Sequence, residues 1–80
     1  EAHLRLKFTR EPLVAHAEEL ALPVENLLTP DFLRRVCFEP AGDVRSQLAE
    51  LGARPWQLDQ VVPLIEAGLA LAGPEIEKLP

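Results

Sequence analysis

Few residues in this 80-residue chain could do chemistry, and they are well separated. Arg34 and Arg35 form the one adjacent basic pair in the part expected to fold. Arg54 stands two residues before Trp56 in the stretch Leu51-Gly52-Ala53-Arg54-Pro55-Trp56-Gln57. A guanidinium beside an aromatic ring suits a single strand, with the cation on phosphate and the ring on a base. The stretch also places these residues at a helix start, where backbone N–H groups lack partners and favour anions. The simpler use of Trp56 is as the anchor of a small core. The simpler use of Arg34 and Arg35 is a solvated face, with Asp31 three and four residues before them.

Nucleophilic and metal chemistry have less to work with. Ser46 is the only serine and has no Gly-x-Ser-x-Gly setting. His3, His16 and Cys37 are too scattered for a zinc cluster. Cys37 lies between Val36 and Phe38, which suits a buried, inert thiol. His16 reads as a helix-surface residue near Glu19 or Glu11. No Gly-rich nucleotide loop is present. The expectation is therefore a non-catalytic domain with no cofactor and no metal. The acids Glu11, Glu18, Glu19 and Glu25 cluster in one stretch, which gives a second class of role. Such a face can dock on a basic surface of a host protein.

The net charge of −5 opposes tight nonspecific binding to nucleic acid. Arg outnumbers Lys six to two. One cysteine allows no internal disulfide. No apolar run approaches the ~20 residues of a membrane span. Eighty residues make one domain that buries roughly 60% of its extended surface. With no signal peptide and no initial Met, the chain reads as a monomeric piece of a larger cytoplasmic protein.

Hydrophobic spacing supplies the elements. Residues 2–8 alternate, with Ala2, Leu4, Leu6 and Phe8 against His3, Arg5 and Lys7. With no second strand to pair with, residues 1–8 are expected to be an extended arm or linker. A helical domain over 9–73 follows, then a tail over 74–80. The first helix spans about 9–21, with Leu13, Ala17 and Leu20 inward. Leu27 and Leu28 plug the core from a short turn. Thr29-Pro30-Asp31 opens a second helix over about 30–38. Asp43 caps a third, carrying Val44, Leu48 and Leu51. Gly52 closes that helix and Pro55 opens the last, which should kink at Pro63 and stop at Gly73-Pro74. The expected core is Leu13, Leu20, Leu28, Phe32, Val36, Leu48, Leu58 and Ile65.

The order Leu22-Pro23-Val24-Glu25-Asn26-Leu27-Leu28-Thr29-Pro30-Asp31-Phe32-Leu33, followed by the Gly52–Pro55 hairpin, resembles the HRDC domain (helicase and ribonuclease D C-terminal). The resemblance covers about residues 9–72. It implies an all-α orthogonal bundle of about five helices, appended to a RecQ-type DNA helicase. The alternative is a C-terminal accessory domain of a ribonuclease D-like 3'-5' exonuclease, or a pure protein-interaction module. The resemblance implies modulation of the host's nucleic-acid binding and substrate choice, and this chain's own candidates for the contact are Arg34, Arg35, Arg54, Trp56 and Gln57. Glu25 stands where several helicase members carry an aromatic associated with single-stranded DNA. Arg54 replaces the hairpin's second Gly, and Gln57 a frequent Lys. With these departures, the isolated domain is expected to bind single strands weakly or not at all. Its partners would be other domains of its host.

Overall fold

The computed structural model describes residues 2–77 and is all helical among them: α1 (Ala2–Glu19), α2 (Val24–Leu27), α3 (Pro30–Phe38), α4 (Val44–Leu51) and α5 (Pro55–Glu77). The small bundle expected from the sequence is present. The long helices α1 and α5 pack chiefly on each other, and α2, α3 and α4 close over them. Leu13, Leu27, Leu48, Val61, Ile65 and Cys37 form the fully buried centre. No helix among the described residues is long and apolar enough to cross a membrane.

The extended arm is corrected by the structure, because residues 2–8 form the first two turns of α1. The stripe that buries this segment is Leu6, Thr9, Leu13 and Ala17, spaced i, i+3, i+7, i+11. Thr9 hides that stripe in a hydrophobicity reading because it is polar, yet it is fully buried. Its hydroxyl donates back to the Arg5 carbonyl at 2.8 Å and also lies 3.2 Å from that of Leu6. Its oxygen lies 3.5 Å from Cys37 Sγ and is free to accept from the thiol. Burial raises the Cys37 pKa, opposed by this hydrogen bond and by nearby Arg5, so the thiol stays protonated and inert. Arg5 Nε donates to the Cys37 carbonyl at 2.9 Å, placing a cation on an orphan acceptor in the last turn of α3.

Pro12 sits inside α1 and brings no N–H to the carbonyl of Phe8, four residues earlier. Gly68 of α5 faces that same carbonyl. A Cβ on Gly68 would touch Phe8 O and lie 2.9 Å from Phe8 C and 3.0 Å from Thr9 Cα. The missing side chain is what lets the two helices meet backbone to backbone here.

Other helix ends follow their expected chemistry only in part. Asp43 caps α4, accepting from Ser46 N at 3.1 Å, and hydrogen bonding from the Ser46 side chain, then from its backbone, holds the Asp43 carboxyl below the usual range. Thr29 precedes α3 but makes no side-chain cap bond. The expected stop at Gly73-Pro74 is corrected too: α5 runs on through both Pro63 and Pro74 to Glu77, and residues 78–80 of the expected tail lie outside the described ones. Leu20, expected in the core, is 41% exposed. The regular helix has ended at Glu19, and the chain turns away at Ala21 before Leu20 can join the stripe. Phe32 is half-buried against the core rather than inside it.

Two helices end in the same motif with different residues. After α4, Ala53 N bonds Leu48 O and Gly52 N bonds Ala49 O, with Gly52 at φ 115°. After α1, Leu22 N bonds Ala17 O and Ala21 N bonds Glu18 O, with Ala21 at φ 57°. Both are Schellman closures, which want glycine at the left-handed position. The left-handed region costs an L-residue about 1–2 kcal/mol, while glycine's extra unfolded-state freedom costs about 0.4–1. Ala21→Gly should therefore stabilise by roughly 0.5–1 kcal/mol. A thermal melt showing a lowered midpoint would contradict this.

Candidate functional site

The α4–α5 turn holds three of the five residues singled out for nucleic acid. Ala53 is buried beneath it, which anchors the turn and leaves Arg54, Pro55 and Trp56 outside. Trp56 is 47% exposed, so it does not anchor the core as the simpler reading expected. The interior is already filled by aliphatic side chains from all five helices.

Gln57 is taken by the fold. Its Oε1 accepts from Arg54 N at 2.8 Å, the reach-back half of a capping box. Its Nε2 donates to Asn26 O at 3.2 Å and ties the start of α5 to α2. A Lys at this position could donate to Asn26 but could not accept from Arg54.

Antiparallel register aligns α1 with α5. Phe8 of α1 faces Gly68 of α5, and His16 Nε2 donates to Gln60 Oε1 at 2.6 Å, eight residues further along each helix. Glu19 lies 3.7 Å from the other ring nitrogen of His16, as the sequence suggested.

The arginines divide cleanly. Arg5 is used on Cys37 O, Arg35 pairs with Asp31 at 3.1 Å and Arg45 pairs with Asp59 at 2.8 Å. The side chains of Arg10, Arg34 and Arg54 make no hydrogen bond or ion pair among the described residues and are exposed. The Arg34–Arg35 pair is therefore split: Asp31 holds Arg35, as the solvated-face reading expected, and Arg34 stays free. Arg34 lies on α3 by a pocket against α1 and α2, apart from the Arg54–Trp56 turn. Glu11, Glu18, Glu19 and Glu25 are all exposed, and among the described residues only Glu19 has a side-chain partner, the His16 ring at 3.7 Å. Among the described residues no three His, Cys, Asp or Glu side chains gather closely enough to hold a metal ion.

Residues 1–69 match the family described as the 3' to 5' exonuclease C-terminal domain. The chain belongs to that family. The match begins at residue 1 and so includes the first turns of α1, consistent with their place in the fold. It supports the exonuclease alternative drawn from the sequence and nothing specific to RecQ helicases. No curated protein and no solved structure matches the chain. The structure sets Arg10 on the same pocket as Arg34, a pairing that reading Arg10 with Arg5 and Lys7 as part of a basic arm does not make. The signal was available, because Leu6, Arg10 and Leu13 share one helical face at i, i+4, i+7.

Proposed function

We propose that this chain is the non-catalytic accessory domain of a ribonuclease D-like 3'-5' exonuclease, and that it adds a weak contact to the host's single-stranded substrate. The family match over residues 1–69 carries the reading. The exposed Trp56 and unpaired Arg54 on a rigid turn support it, since stacking and one phosphate contact need no sequence readout. The net charge of −5 keeps this contact weak and makes it local rather than a broad electrostatic footprint.

A salt titration with a single-stranded 12-nucleotide probe tests it. Arg54→Ala should flatten the logarithmic salt slope by about 0.7, the value of one single-strand phosphate contact. Trp56→Ala should cost about 1–3 kcal/mol of binding with little change in slope. If both variants bind like the parent, the turn is not the contact. Arg34→Ala/Arg35→Ala should change the slope by no more than one contact, because Asp31 already neutralises Arg35.

A second reading rests on the exposed and mostly unpaired acids Glu11, Glu18, Glu19 and Glu25. They would dock the domain on a basic channel of its host and compete with substrate. The two readings differ in sign. Removing the domain from its host lowers substrate affinity in the first and raises it in the second.

A further inference from the structure

Between α1, α2 and α3 lies a pocket of about 140 Å³. Leu6, Leu13, Leu28 and Leu33 supply much of its wall, and the exposed Arg10 and Arg34 also line it. Both guanidiniums lack partners among the described residues, although three other arginines of the chain are bonded. Lys7, also exposed and without a partner among the described residues, stands one turn before Arg10 on α1. In a chain of net charge −5 these two arginines put positive charge on the edge of an aliphatic hole.

We propose that this pocket binds a short acidic peptide segment, with one phenylalanine or leucine side chain in the hole and flanking carboxylates on Arg10 and Arg34. The volume is right for one side chain, since a cavity of about 150 Å³ with similar walls holds a benzene ring. The chemistry selects a peptide over a nucleobase. A base edge carries donors as well as acceptors, and two guanidiniums offer donors only, so the base's own N–H groups would be buried unpaired. No aromatic ring lines the pocket to stack on a base. An apolar anchor ringed by charge pairs is the usual make-up of a small protein-recognition site. Carboxylates suit guanidinium forks, which accept them in bidentate fashion.

The probe is a fluorescein-labelled acetylated hexapeptide, Asp-Glu-Asp-Phe-Glu-Asp, titrated against the 80-residue chain and followed by polarisation. Saturable, salt-sensitive binding is expected. It should weaken at least tenfold when the probe's phenylalanine becomes alanine, and at least tenfold in Arg10→Glu/Arg34→Glu. Both arginines are exposed and unbonded, so that variant should keep its helical spectrum. Val24→Phe, which fills the pocket from its α2 wall, should abolish binding with the charges intact. Arg54→Ala/Trp56→Ala should leave it unchanged, which separates this site from the single-strand contact. Equal binding of the alanine probe would reduce the site to nonspecific charge and overturn the proposal. So would displacement of the peptide by oligo-dT that itself loses affinity in Arg10→Glu/Arg34→Glu.

Discussion

Gly68→Ala should cost the domain about 2–4 kcal/mol, although alanine is the better helix former. Two effects compete. Replacing a glycine inside a helix gains about 1 kcal/mol of propensity. Against this, the new Cβ would meet Phe8 O, with Phe8 C at 2.9 Å and Thr9 Cα at 3.0 Å. Those are backbone atoms of α1 and cannot rotate away, so the two long helices must separate. Overpacking of this kind costs about 1–3 kcal/mol by itself. Every 40 Å² of apolar area reopened along the seam adds about another 1 kcal/mol. An 80-residue domain holds only about 4–12 kcal/mol in total, so the loss is a large share. At about 4–8 °C per kcal/mol the midpoint should fall by roughly 10–25 °C. A thermal melt of Gly68→Ala with its midpoint at or above the parent's would refute the backbone contact at Gly68.

The same seam shows what the sequence could and could not display. Capping and turn chemistry is local, so Asp43, Gly52 and Pro55 marked their helix ends without tertiary information. The aliphatic stripes of α3 to α5 were legible for the same reason, and Val36, Leu48, Leu58 and Ile65 are buried as their spacing implied. The N-terminal turns were not legible. Alternation in Ala2, Leu4, Leu6 and Phe8 matched period two, while the true stripe passed through Thr9, whose burial depends on accepting carbonyls four and three residues back. Pro12 falls in the first turn of a helix that starts at residue 9 but in the middle of one that starts at Ala2. The carbonyl it leaves without a helical N–H faces Gly68, fifty-six positions from Pro12, and no local window contains both. At the candidate site the limit was similar. Gln57 and Arg35 carry the right groups for a ligand, but whether those groups are free depends on Asn26 and Asp31. For Arg54, Trp56 and Arg34 the structure left the groups open.

Removing residues 1–8 should unfold much of the domain, where the loss of an extended arm would leave it intact. The segment supplies half-buried Leu4, Leu6 and Phe8 to the packing. Full burial of such a side chain is worth about 1.5–3 kcal/mol, so half-burial of three contributes roughly 3 kcal/mol. Arg5 donates a charged hydrogen bond to the end of α3, an interaction of about 1.5–3 kcal/mol. Truncation also strands Thr9. Its hydroxyl would lose the Arg5 and Leu6 carbonyls, leaving only the weakly polar Cys37 thiol at 3.5 Å. A buried hydroxyl without a good partner costs about 1–3 kcal/mol. Together these approach or exceed the roughly 4–12 kcal/mol expected for the whole domain. Residues 9–80 should accordingly show a weak helical spectrum at 25 °C and rapid labelling of Cys37 by a thiol reagent. Arg5→Ala alone, which keeps the Thr9 backbone acceptors, should melt cooperatively at a reduced midpoint. If residues 9–80 instead melt like the full chain with Cys37 still protected, the first two turns of α1 contribute nothing to the core. The family match beginning at residue 1 would then reflect something other than this packing.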